Sequence, residues 1–174
     1  MTGGPRGRRG AVERVGARVL GVDPGLSATG YAVVEGRERG CSVIAAGTIR
    51  THPKMVLPER LGRIHDVLSA AIVAHDPQTV AVEDVFLARN APSAMGTAEV
   101  IGVVKLLARG RELRSFPPRQ VKKWICGNGS APKEQMMAMV KALVSGDGEA
   151  MAKWSDHAGD AVAIALCAFF ARDR

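Results

Sequence analysis

Two acids stand where a β-strand ordinarily carries apolar side chains. Asp23 ends the short run Val19–Asp23 (VLGVD), and Glu83 lies inside the apolar stretch Val80–Val85 (VAVEDV). Near the C-terminus, His157 and Asp160 open the most apolar segment of the chain, Ala161–Ala171. Removing a lone carboxylate from water costs several kcal/mol unless it is paired or bound to a metal. If the two strands are neighbours and the last helix lays its first turn across their ends, these groups meet. Three carboxylates and an imidazole gathered in one place repel one another unless a divalent cation lies between them. Such a cluster in a small basic domain points to metal-assisted phosphodiester hydrolysis, with two ions sharing the attacking and leaving oxygens.

Each group also has a plainer role open to it. Asp23 precedes Pro24-Gly25 and suits a turn; Glu83 has Arg89 as a possible ion-pair partner; His157 and Asp160 suit the first turn of a helix, where the backbone dipole favours acids. Asp156 and Asp160, at i,i+4, share a helix face almost as well as His157 and Asp160 at i,i+3, so spacing alone does not choose between Asp156 and His157. Ser155 or Asp156 is a candidate helix cap. Asp84 points to the opposite strand face from Glu83 and is read as structural.

Basic and aromatic residues add a second layer. Lys133 follows the loop Gly127–Ser130 at a helix start, where unpaired backbone N–H groups favour phosphate. Arg119, Lys122 and Lys123 form a basic stretch upstream, which is either a nucleic-acid surface or a solvated face. Phe86 follows Glu83 by three residues in a chain with four Phe, two Trp and one Tyr. An aromatic at a strand end either packs in the core or stacks on an unpaired base. No GxxxxGK[ST] loop is present, so the glycines do not read as a nucleotide cradle.

The elements that must position these groups follow from periodicity. Val19–Asp23, Thr29–Glu35 and Cys41–Ile49 are strand-like runs joined by short turns, an antiparallel meander. Leu57, Leu61, Ile64, Leu68, Ala71 and Ile72 then recur at helical spacing until Asp76-Pro77. Val80–Val85 is the fourth strand, residues 92–109 a helix, and Leu113–Phe116 a short fifth strand. Helices follow over Arg119–Ile125, Lys133–Val144 and Ser155–Ala171, with Pro tolerated at their starts. The result is one α/β domain with a five-stranded mixed sheet, over residues 18–174.

Composition bounds the rest. The chain has 174 residues, 47% hydrophobic and 24% charged, ordinary for a globular domain. Its 24 basic residues exceed 17 acids for a net charge of +7, and its pI near 9.8 lies in the nucleic-acid-binding range. Residues 1–18 hold five Arg against one Glu; residues 1–17 read as a basic, Gly-rich, disordered extension. The longest apolar run is too short to cross a bilayer. The arginine-rich start has no apolar segment behind it, so it is not a secretory signal. Cys41, Cys126 and Cys167 are widely spaced, which excludes a disulfide framework or a cysteine zinc site and fits the cytoplasm.

Four segments carry a resemblance. LGVDPGLSATGYAVVE, VEDVFLARNAPSA, PRQVKKWICGNGSAPKEQM and DHAGDAVAIAL, in that order, resemble the RuvC family, the bacterial Holliday junction resolvases, over residues 18 to about 172. The resemblance implies a ribonuclease-H-like sheet in the order 3-2-1-4-5 and a homodimer. It also implies paired symmetric nicks in a four-way DNA junction, leaving 5′-phosphate and 3′-hydroxyl ends, with Mg²⁺ or Mn²⁺. By position it assigns Asp23, Glu83, His157 and Asp160 to the catalytic metal set, with Asp23 bridging two ions. His157 stands where many members have an acid, which favours Mn²⁺ over Mg²⁺. It assigns Lys122 and Lys133 to DNA, extended by Arg119 and Lys123, makes Phe86 a wedge, and implies the RuvA–RuvB branch-migration complex as a partner. The helix over 92–109, rich in small residues, is the expected dimer interface. The basic extension before Arg18 has no counterpart in the family's core pattern.

Three other readings compete. An ATP-using actin-like or sugar-kinase protein shares the strand-Asp-x-Gly turn but needs two such domains. A structure-specific RNA nuclease uses the same scaffold. A non-catalytic nucleic-acid-binding module predicts that Asp23 and Glu83 are dispensable.

Overall fold

The computed structural model describes residues 15–84, 91–145 and 148–171. Strands β1 (Arg18–Asp23), β2 (Ala28–Gly36) and β3 (Cys41–Arg50) form the antiparallel meander. Helix α1 (Leu57–His75) then leads to β4 (Thr79–Glu83), which returns parallel to β1. Helix α2 (Ala91–Leu107) leads to β5 (Glu112–Phe116), parallel to β4. The remaining elements are α3 (Pro118–Cys126), α4 (Lys133–Leu143), β6 (Val144–Ser145), α5 (Gly148–Ala152) and α6 (Asp156–Phe170).

The sheet has six strands, in the order β5-β4-β1-β2-β3-β6. The expected order 3-2-1-4-5 is present, and the expected count of five is corrected by β6. This strand pairs only Val144 and Ser145 with Cys41 and Ser42. The helix expected to run to Val144 therefore ends at Leu143. Two residues carry no alternation to read; β6 forms because the open edge of β3 offers unpaired backbone groups. α5 and the two residues by which β4 stops short of Val85 also differ from expectation; Val85 itself lies outside the described residues.

Local chemistry sets the element ends. α1 stops at Asp76 in the left-handed region (φ +42°), with its N–H bonded to the Ile72 carbonyl, and Pro77 cannot continue the helix. α3 opens on Pro118 and closes at Gly127 with φ +73°, a conformation that suits glycine. α6 opens on Ser155, whose hydroxyl accepts the Ala158 N–H.

The two-residue period of the strands divides the core. Leu20, Val22, Val80 and Val82 face one layer with Ile64, Leu68, Val100 and Val104 of α1 and α2. Val19 and Ala81 face the other, against α3, α4 and α6. Residues Ala161 to Phe169 of α6 are all buried, as expected of a helix apolar on every side. Gly21 permits this packing: a Cβ there would stand 2.2 Å from the Ala161 carbonyl oxygen. Alternation then sends Asp23 and Glu83, two residues beyond Gly21 and Ala81, to the α6 face. Among the described residues no helix is long and apolar enough to cross a membrane. Cys41 and Cys167 are buried and Cys126 is half-buried, consistent with a packing role.

Candidate active site

The C-terminal ends of β1 and β4, adjacent in the sheet, bring Asp23 and Glu83 together, and the first turn of α6 supplies the other two groups. His157 Nδ1 lies 2.8 Å from Asp23 Oδ2. Glu83 and Asp23 share a side-chain hydrogen bond, and both feel the negative charge of Asp160. The Lys133 ammonium, at the start of α4, lies 3.2 Å from Asp160 Oδ2 and 3.2 Å from Asp156 Oδ2. Beside these groups opens a cleft of about 210 Å³ lined by Glu83, Lys122, Lys133 and Asp160 among the polar residues and by Val121, Met136 and Ile164 among the apolar ones.

The electrostatics record crowding of like charge. Burial, then the charges of Asp23 and Asp160, push the Glu83 carboxyl up from an ordinary 4.5 to about 7, against the pull of Lys122. Asp23 is raised as well, by burial first and by Asp160, although the bond to His157 and the charge of Lys133 oppose this. For Lys133, burial works against the charge, but the hydrogen bonds and charges of Asp160 and Asp156 outweigh it and raise its pKa. Lys133 satisfies Asp160.

The sequence expectation of convergence is met in part. All four expected groups come to one end of the sheet, but as linked pairs. Among the described residues no three or more His, Cys, Asp or Glu side chains are arranged to hold a metal ion as they stand. The donor set nonetheless fits a divalent cation. It combines hard carboxylate oxygens with one imidazole, and a carboxyl raised to about 7 by burial first and then by its acidic neighbours marks a place that lacks positive charge.

The two candidates on α6 sit differently. His157 turns its ring to Asp23, whereas the Asp156 side chain is 74% exposed and meets Lys133. Asp84 is exposed just beyond β4. Lys122 lines the cleft; Arg119 and Lys123 are exposed on α3, widening the basic surface. Phe86 and Arg89 lie outside the described residues.

Some site residues escaped the sequence. Gly30 on β2 supports α6: a Cβ there would stand 1.9 Å from the His157 carbonyl oxygen. A glycine inside a strand is a recognisable sign of close backbone approach, so that signal was available. Thr48 on β3, whose hydroxyl meets that of Ser155, gave none.

The family model of crossover junction endodeoxyribonuclease RuvC matches residues 19–168. The crossover junction endodeoxyribonuclease RuvC of Chloroherpeton thalassium is 40% identical over 153 residues, 87% of this chain and 81% of that one. The protein of the same name from Pseudomonas putida is 42% identical over 151 residues, 86% of this chain and 84% of that one. Among solved structures, Thermus thermophilus RuvC in complex with a Holliday junction substrate superposes with a TM-score of 0.80 at 31% identity, covering 88% of this chain and 94% of that chain.

Proposed function

The chain belongs to the RuvC family of crossover junction endodeoxyribonucleases, and from that premise we propose how its residues carry out the family's reaction. It is a structure-specific endonuclease that resolves four-way (Holliday) DNA junctions in recombination and repair. Hydrolysis is metal-dependent. The observation that carries the mechanism is the meeting of Asp23, Glu83, His157 and Asp160, from three separate elements, beside a cleft walled by Lys122 and Lys133.

Asp23, Glu83, His157 and Asp160 would hold the divalent cations, two per site on this reading. Bound there, such ions supply an acidified water and positive charge for the departing 3′ oxygen. Glu83 must lose its proton to serve as a ligand, and the Asp23–His157 bond keeps the imidazole aimed at the same edge. Lys122 and Lys133 seat the scissile phosphate; Arg119 and Lys123 follow the backbone of the arm beyond. Phe86 stacks on a base unpaired at the crossover. The products carry 5′-phosphate and 3′-hydroxyl ends. With an imidazole among its ligands, the site favours Mn²⁺ over Mg²⁺.

Two symmetric nicks require two sites, and we assign the second to a second copy in a homodimer. The outer side of α2 supports this: Met95 and Leu106 are 65% and 67% exposed, and with Ala98 and Gly102 they fall on one helix face. The protein acts in the cytoplasm with the RuvA–RuvB branch-migration complex, and residues 1–17 are a basic extension to the nuclease domain. The deciding experiment incubates the protein with a labelled mobile four-way junction, a duplex and a single strand, each with Mg²⁺, Mn²⁺ or chelator. Paired cleavage of the junction alone, dependent on the ion, is expected; cleavage of all three substrates, or cleavage in chelator, overturns the reading.

A further inference from the structure

One row across the sheet lies under the first turn of α6. Asp23 on β1 is the register partner of Gly30 on β2, and Gly30 is the partner of Thr48 on β3. Each meets a different part of the same helix start. Asp23 bonds the His157 ring. Gly30, having no side chain, admits the His157 carbonyl into the space a Cβ would fill. Thr48 pairs its hydroxyl with that of Ser155, the cap residue whose oxygen accepts the Ala158 N–H.

A serine hydroxyl has one proton and two lone pairs. Capped only by the Ala158 N–H, the Ser155 side chain is free to rotate away. A second hydrogen bond to Thr48, anchored in the sheet, holds it in the capping rotamer. We infer that Thr48 and Ser155 are positioning residues for the reaction, forming with Gly30 a seat that sets how far along and how far around its axis α6 rests on the sheet. The reason the site needs this is geometric. His157 and Asp160 lie in the first turn and a half of α6, where helices fray, while Asp23 and Glu83 are fixed by the sheet. Holding both halves in register is a separate task from binding DNA, and neither hydroxyl lies among the cleft residues.

The inference rests on the assignment of His157 and Asp160 to the reacting site, so its test has one arm that does not depend on cleavage. Thr48→Val keeps the shape and removes the hydroxyl; Thr48→Ser keeps the hydroxyl and removes the methyl. Hydrogen exchange at the Ala158 amide is followed in the metal-free protein, beside that of Ile164 as an internal reference. Exchange at Ala158 is expected to quicken severalfold in Thr48→Val and return to wild type in Thr48→Ser, with Ile164 unchanged. Single-turnover cleavage of a four-way junction at saturating enzyme is expected to fall about tenfold in Thr48→Val, since sub-ångström misplacement of reacting groups carries penalties of that order. Junction affinity in chelator should stay within twofold, and Thr48→Ser should restore the rate. Ser155→Ala removes the other half of the relay and serves if Thr48→Val does not fold; the double variant should be no slower than Ser155→Ala alone.

Impairment of Thr48→Ser with Thr48→Val unaffected would make the methyl, not the hydroxyl, the feature that matters, and the inference would fall. So would wild-type exchange and cleavage in Thr48→Val. Asp23→Asn and His157→Ala are run alongside. If they cleave normally, the assignment of the site is wrong, while Ala158 exchange still reports on the relay.

Discussion

Glu83→Gln should make the metal-free protein more stable at alkaline pH. In the folded chain the Glu83 carboxyl titrates near 7, against an ordinary 4.5. Between those values the folded state holds a proton that the unfolded state has released, so stability falls as pH rises. At about 1.4 kcal/mol per pH unit the full difference is about 3 kcal/mol, present above about pH 7 and absent below about pH 4.5. Between about pH 5.5 and about pH 8 the wild type should lose about 2 kcal/mol through this group alone. That corresponds to about 4–8 °C in Tm for a domain of this size. Asp23, also raised, adds to the loss with the same sign. Glutamine keeps the shape, can donate a hydrogen bond to Asp23 as protonated Glu83 does, and cannot ionise.

The assay is thermal or urea unfolding in chelator across that range, for both proteins. The curves should converge near about pH 5 and separate toward about pH 8, the variant being the more stable. Adding Mn²⁺ near about pH 8 should then raise the wild-type Tm more than that of the variant, because an ion relieves the repulsion that glutamine has already removed. Parallel curves, or a variant less stable at the alkaline end, would refute the picture of Glu83 as a carboxyl crowded by Asp23 and Asp160.

Asp23→Asn should abolish cleavage while junction binding survives or tightens, since it removes one negative charge and leaves Lys122 and Lys133; gel-shift and cleavage on one junction preparation measure both. Lys122→Ala should flatten the dependence of log affinity on log salt by about one unit, with binding titrations at several salt concentrations as the check. Gly21→Ala should destabilise by about 1–3 kcal/mol through overpacking, seen as a lower Tm, because the new methyl would meet the Ala161 carbonyl at 2.2 Å and the Ala165 nitrogen at 2.7 Å. His157→Asp should shift the metal preference from Mn²⁺ toward Mg²⁺, read from cleavage rate against concentration of each ion.

What the sequence could reveal follows from which signals are local. Asp23 and Glu83 stood out because a charge in an apolar strand is anomalous residue by residue, and the same two-residue period that exposes the anomaly also fixes the face. The three-strand meander and α1 were legible for the same reason, since period and turn chemistry are written within about ten residues. β6 was not, because two residues have no period and its existence depends on a free edge of β3 more than ninety positions away. The choice between Asp156 and His157 likewise required knowing how α6 is rotated on the sheet. Gly21 and Gly30 decide that rotation, and they do so through contacts with Ala161 and His157 that no spacing encodes. Thr48 belongs to the same class: its importance lies wholly in what sits above it.

Lys133 shows how the site's charges constrain one another. Its ammonium already has two carboxylate partners, Asp156 and Asp160, each at 3.2 Å, so it is neutralised before any DNA arrives. Lys122 lines the same cleft, where its charge acts on Glu83, and among the described residues it makes no ion pair as close as those of Lys133. A phosphate approaching Lys122 therefore displaces counter-ions from solution, whereas one approaching Lys133 displaces a carboxylate of the protein. Both exchanges release cations condensed on the DNA, and the second also leaves a carboxylate in need of a new partner. Transfer of Lys133 from Asp160 to a phosphate would also free Asp160 as a donor at the moment the substrate is seated. On the proposed assignment, DNA binding and metal binding at this site would be coupled through a single side chain, and by linkage each would favour the other.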